Sequence, residues 1–368
     1  MRSRTRRSAP ILALVLTLAL LGAACGDDDT STTDTGAGGG DGGGDEFSCP
    51  EGSALVADGT INISGSSTVA PITQQAADCF AEAGGTGDIT VDNPGTGDGF
   101  KLFCAGETDI SDASRAIKPE GEADVCAQNG VEFIELKIGF DGMAVMTSPA
   151  NDTVECLSFE DLYAIMGPES QGKTNWKDAS TLAAELGSDT EFPDLDLEIT
   201  APGEESGTYD SFIEIALAKI EAARLEAGKI TEDQNGTTRP DYSSQANDDA
   251  IIQGIEGADG SFGWVGFAFA DQAGDGVKIL DVAKEAGGDC VSPSADTIAD
   301  GSYPLSRSLY IYVNAEKADS NEAVASFVDY YIANMADIVE EADYVALPDD
   351  QASDTASTWE DRTTGSAA

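Results

Sequence analysis

Two strand-to-helix turns, far apart in the chain, constrain its fold more than any other feature. In the first, the alternating run Ile61-Asn62-Ile63-Ser64-Gly65 passes through Ser66-Ser67-Thr68 into Pro71-Ile72-Thr73-Gln74-Gln75-Ala76-Ala77, which has helical spacing. In the second, Leu197-Glu198-Ile199-Thr200 runs into Ala201-Pro202-Gly203-Glu204-Glu205-Ser206-Gly207-Thr208, and a helix follows with Phe212, Ile213, Ile215, Ala216 and Ile220 on its apolar stripe. A strand feeding a helix through a small, hydroxyl-rich turn leaves the first helical N–H groups unpaired beside the positive end of the helix dipole, an arrangement suited to an anion. One such turn alone reads as an ordinary N-cap. Two of them can be the two sides of a clamp.

Between these turns the strand and helix signals alternate. The strand Asp88-Ile89-Thr90-Val91-Asp92 leads to the Gly-rich loop Pro94 to Gly99 and a helical start at Phe100. Thr108-Asp109-Ile110 then leads to Ser111-Asp112-Ala113-Ser114-Arg115. This β-α-β-α-β order implies an α/β fold with covered sheet faces, and ligand loops at the carboxyl ends of its strands. An extended run from Val131 to Thr147, broken at Gly139-Phe140-Asp141, is read as leaving a first lobe and entering a second. Leu305 to Val313 is the return strand, and Ala323 to Ile338 a helix packed on it. The boundaries expected are 58–139 for the first part of lobe 1, 140–307 for lobe 2, 308–350 for the return to lobe 1, and a disordered tail at 351–368.

The amino end has a different purpose. Arg2, Arg4, Arg6 and Arg7 precede the apolar run Ile11 to Leu21, and Gly22-Ala23-Ala24 leads to Cys25, so residues 1–24 read as an export signal. Ending in Cys, it resembles a bacterial lipoprotein signal, which makes Cys25 the expected lipidated residue and the cell membrane the expected anchor; Gly22 stands where that pattern prefers Leu, and simple secretion is the alternative. Residues 25–57 then form a tether rich in Gly and Asp that is too polar to bury a core. Six further cysteines in an exported chain argue for three disulfides. Pairing Cys49 with Cys79, Cys104 with Cys126, and Cys156 with Cys290 closes each loop within one expected lobe.

A formal net charge of −49 excludes nucleic acid as a partner, since that field repels a phosphate backbone. A small anion in a cleft is still allowed, because exposed charges beyond a Debye length are screened. With no histidine in the chain, Ser-His-Asp and Cys-His catalysis are unavailable in their usual forms, and no CxxC pair suggests a metal. Gly95-Thr96-Gly97-Asp98-Gly99 completes neither a P-loop nor a dinucleotide fingerprint. Neutral donors remain: Ser66, Ser67, Thr68, Thr96, Gly97, Ser114, Ser206, Gly207 and Thr208, with Arg115 as a bidentate fork beside Ser114.

The segments Ile63 to Pro71, Gly95 to Lys101, Gly106 to Arg115, Glu205 to Phe212 and Tyr303 to Val313 together resemble the periplasmic phosphate-binding proteins of phosphate ABC transporters, most of all the SphX-like branch. The resemblance implies a type II periplasmic-binding-protein fold, inorganic phosphate between the lobes with Thr68 and the Val69 amide in its first loop, no catalysis, and delivery to a membrane permease; no cofactor and a monomer are expected beside it. Two positions depart from the family pattern. Pro202 stands where many members have an arginine, so the charge must come from Arg115 or from another residue such as Arg239 or Arg307. Arg115 stands where many have the aspartate that accepts the phosphate proton, leaving Asp141 or Asp112 for that role. The alternatives are a site for sulfate or molybdate, and a secreted phosphoesterase on the same fold.

Overall fold

The computed structural model describes Cys49, residues 58–204 and residues 206–366. The export signal, Cys25 and most of the tether lie outside the described residues. Eight strands make the main path of a 10-stranded sheet: β1 (Thr60–Gly65), β2 (Asp88–Asp92), β3 (Ile110–Ala113), β4 (Phe133–Thr147), β5 (Glu198–Pro202), β6 (Ser243–Gln245), β7 (Ser261–Gly266) and β8 (Ser306–Asn314). They lie in the order β2-β1-β3-β8-β4-β7-β5-β6. β1 is parallel to β2 and β3, and β5 is parallel to β6 and β7. Between these parallel groups, β8 and β4 run antiparallel to their neighbours. Each half of the sheet is thus a parallel α/β unit, and the long central strands belong to both.

The expected break at Gly139-Phe140-Asp141 does not occur, and β4 continues through it for 15 residues. Its first part pairs with β8 as far as Gly142, and its last part, from Met143, pairs with β7. Gly139 serves close approach here: a Cβ there would stand 2.9 Å from the Val339 side chain and 3.0 Å from the Val345 carbonyl oxygen. Burial at nearly every β4 position, polar ones included, fits a strand covered on both faces.

The helices follow the capping chemistry of the sequence. Helix α1 (Ala70–Glu82) carries Pro71 in its first turn, and α2 (Thr96–Cys104) starts after Gly95, whose φ of 100° favours a residue without a side chain. Helix α3 (Phe159–Met166) opens with a Ser158/Asp161 capping box. Helix α4 (Gly207–Phe212) continues through a π turn, Ile213–Leu217, into Ala218–Glu226. The helix expected at Ala323 to Ile338 is two: α5 (Glu322–Ala333) and α6 (Met335–Glu341), with Asn334 between them.

The tail departs most from expectation. The polarity of residues 351–368 predicts disorder, yet Asp349–Glu360 is a helix, α7. Its burial rests on two residues one turn apart, Thr355 and Trp359. Thr355 Oγ1 donates to the Lys137 carbonyl at 2.8 Å, and Trp359 donates through Nε1 to Asp329 at 2.6 Å beneath the Arg362 guanidinium. These two anchors tie the helix to the body, and average polarity cannot register them. All three expected disulfides are present: Cys49–Cys79, Cys104–Cys126 and Cys156–Cys290.

Candidate functional site

The two strand-to-helix turns are built alike. Ser66 Oγ accepts from the Thr68 amide at 3.2 Å, and Ser206 Oγ accepts from the Thr208 amide at 3.2 Å. In both turns the first serine therefore caps its own loop, an ST motif that fixes the following amides. Val69 buries its side chain in the core, which leaves only its backbone to face a ligand. The Ser66 amide donates to the Asp112 carbonyl at 2.9 Å, tying the first turn to the end of β3.

The turns meet across the middle of the sheet. A Cβ on Gly207 would lie 3.5 Å from the Thr68 Cα, an ordinary contact distance. Ser67 Oγ donates to Asp210 Oδ2 at 3.0 Å, and Thr68 Oγ1 lies 3.3 Å from Ser211 Oγ. Ser211 Oγ in turn donates to Asp141 Oδ2 at 2.7 Å. Burial pushes the Asp210 carboxyl above its ordinary range, against the stabilising bond from Ser67.

Arg307 occupies the centre of this cluster. It is the cross-strand partner of Asp141 in the β8–β4 pairing, so both side chains leave the same face of the sheet. Its Nε donates to Asp141 Oδ2 at 3.2 Å, and its Nη2 donates to Thr68 Oγ1 at 2.8 Å and to Ser211 Oγ at 2.6 Å. Its Nη1 pairs with Glu214 in the π turn. The guanidinium is thereby bonded to the first turn, to the second turn's helix and to the shared strand β4.

A cavity of about 620 Å³ opens beside it, lined by Thr96, Gly97, Ser114, Arg115, Glu214 and Arg307. Thr96 Oγ1 and Ser114 Oγ lie 3.0 Å apart, and the Ser114 amide donates to Thr96 Oγ1 at 3.2 Å. Arg115 lines the cavity, but its fork is already bound to both oxygens of Glu122, at 2.8 and 2.7 Å, and its guanidinium lies over the Phe100 ring. That bond to Glu122 is the main reason its charged form is favoured, with a smaller contribution from Glu214.

The alternatives left open by the sequence separate here. Asp112 does not reach the cluster: its carboxyl is fully buried under α1, accepts from Thr73 Oγ1 at 3.0 Å, and is pushed up to about 7 by that burial. Arg239 is buried in a structural pairing with Asp241 and the Lys173 carbonyl. Arg307 and Asp141 are the pair that the fold brings to the turns. Sequence reasoning misses Ser211 and Glu214 altogether, although Gly207, Ser211 and Glu214 fall on one helical face at i, i+4 and i+7. Among the described residues no group of three or more His, Cys, Asp or Glu could hold a metal ion, and no helix is long and apolar enough to cross a membrane.

Comparison with known proteins shows the family. The family described as a PBP superfamily domain matches residues 50–334. Protein SphX of Synechocystis sp. is 38% identical over 293 residues, which is 79% of this chain and 79% of that protein. The phosphate-binding protein PstS of Staphylococcus saprophyticus is 31% identical, covering 79% of this chain and 81% of its own. Among solved structures, a possible phosphate binding protein from Planctomyces limnophilus superposes with a TM-score of 0.73 at 30% identity, over 83% of this chain and 99% of the other.

Proposed function

This chain belongs to the PBP superfamily, in one family with the SphX and PstS proteins, and from that premise we propose that it binds inorganic phosphate between two lobes outside the cytoplasm and delivers it to the permease of an ABC-type phosphate transporter. Its fold is that of a type II periplasmic-binding protein. Lipid attachment through Cys25 would hold it at the membrane surface within reach of that permease.

The observation that carries the reading is the junction of two amide-presenting turns on one arginine and one buried carboxylate, drawn from both halves of the sheet and from the strands they share. Each part has a task toward a phosphate dianion. The amides that follow Ser66 and Ser206, with the Thr68 and Thr208 hydroxyls, donate to its oxygens with no charge of their own. Arg307 supplies the compensating positive charge. Asp141 accepts the proton that phosphate carries and sulfate lacks, since a carboxylate facing a bare sulfate oxygen would leave two acceptors opposed. Thr96, Gly97 and Ser114 complete the wall. Rotation of the lobes about the crossing strands β4 and β8 opens and closes the set.

Titration calorimetry with phosphate and sulfate tests the assignment. Wild-type protein is expected to bind phosphate well below millimolar and to discriminate against sulfate, and Asp141→Asn to lose the discrimination. Equal affinity for both anions in the wild type would remove Asp141 from this role.

A further inference from the structure

Every edge of the Arg307 guanidinium is occupied by the protein itself. Asp141 takes Nε, Thr68 and Ser211 take Nη2, and Glu214 takes Nη1. These partners are not equally firm. Thr68, Ser211 and Asp141 are buried, with the Asp141 side chain only 6% exposed, whereas the Glu214 side chain is 59% exposed. Removing a buried partner strands a polar group away from water, which is costly. Releasing an exposed carboxylate costs little, because solvent hydrates it at once and screens the pair.

The position of Glu214 is also unusual. It lies in the π turn Ile213–Leu217, the kind of widened helical turn that recurs at functional sites. It lines the same cavity as Arg115, Thr96 and Ser114, where it faces two guanidinium groups. A carboxylate between two arginines, at the mouth of an anion site, has the charge and the acceptor geometry of the ligand.

We propose that Glu214 is a displaceable surrogate anion, which holds the Nη1 edge of Arg307 until phosphate takes that edge, and which thereby sets the affinity of the site. The proposal rests on the phosphate reading above. Phosphate and the Glu214 carboxylate compete for the Nη1 edge of Arg307, because two anions sharing that one edge repel. Binding is therefore an exchange in which phosphate gains the guanidinium and Glu214 swings to water. If Glu214 were only a prop for Arg307, its loss would misplace the guanidinium and weaken binding, so the two roles predict opposite signs.

The test is calorimetric titration of the full chain with inorganic phosphate, comparing wild type with Glu214→Gln, whose folding is checked by thermal unfolding. The expected result is binding roughly two- to fivefold tighter in Glu214→Gln, the scale of one partly exposed ion pair. Unchanged or weaker binding, in a wild type that does bind phosphate, overturns the surrogate and leaves the phosphate reading intact. If neither protein binds phosphate, the phosphate reading fails, and the same pair is titrated with sulfate, arsenate and molybdate. Tighter binding of any of these by Glu214→Gln then supports the surrogate, and no gain with any of them overturns it.

Discussion

The end of β3 and the crossing of β4 with β8 each offer one aspartate and one arginine, and the fold uses them in opposite ways. At β3, Asp112 turns inward under α1 to Thr73 while Arg115 turns outward to Glu122, so acid and base never meet. At the crossing, Asp141 and Arg307 are register partners on neighbouring strands and bond directly, at 3.2 Å. The first arrangement serves one half of the molecule. The second draws on both halves, because Arg307 also bonds Thr68 on one side and Ser211 on the other. On the phosphate reading proposed above, the difference teaches that the charge of the site belongs on the strands common to both halves, where one guanidinium bonds to both turns at once.

The largest expected effect in this comparison is on stability, at the inward aspartate. Burial raises the Asp112 carboxyl to about 7, against about 3.9 in an unfolded chain. The folded state therefore binds more protons than the unfolded state between about pH 4 and pH 7, and stability falls as pH rises through that window. By pH 8 the cost is on the order of 4 kcal/mol, burial outweighing the bond that the carboxylate accepts from Thr73. Asp112→Asn should raise the melting temperature at pH 8 and have little effect at pH 4; parallel melting curves across that range would break the assignment. Next comes Arg307→Ala, expected to weaken phosphate binding by about 1.5–3 kcal/mol, or roughly 10- to 150-fold, and to destabilise the fold by leaving Asp141 buried without its partner. Retention of full affinity by titration calorimetry would move the charge elsewhere. The smallest effect is expected from Arg115→Ala, below about 1 kcal/mol in affinity, because its fork is already spent on Glu122 and is partly exposed. A loss as large as that of Arg307→Ala would reverse the ranking of the two arginines.

Much of the scaffold is legible in local chemistry. The hydroxyl-rich turns at Ser66 and Ser206, the capping box at Ser158 and the Gly95 loop all announce strand-to-helix junctions, because caps and turns are fixed by residues a few positions apart. The cysteine pairing expected from keeping each loop within one lobe is the one present, although four cysteines of the first lobe could have paired in three ways. For Arg115 the local pattern carries less. Its place beside Ser114 is a fact of sequence, while the Glu122 carboxylate that claims it depends on how the following turn folds back. Gly139 misleads because a glycine in a strand signals either a break or a close approach, and only the Val339 and Val345 contacts say which.

The sequence by itself determined an α/β chain with two anion-presenting turns, a strongly acidic balance of charge, cysteines enough for three disulfides and the pattern of an export signal, since each of these depends on composition or on neighbours along the chain. Which residues meet at the junction of the turns was decided by tertiary structure alone. Arg307 and Asp141 are separated by 166 positions and become partners only through the register of two antiparallel strands, while Glu214 reaches them only through a turn of α4's helical run. Pairing across a sheet is set by the packing of its whole length, and no local pattern in the chain encodes it.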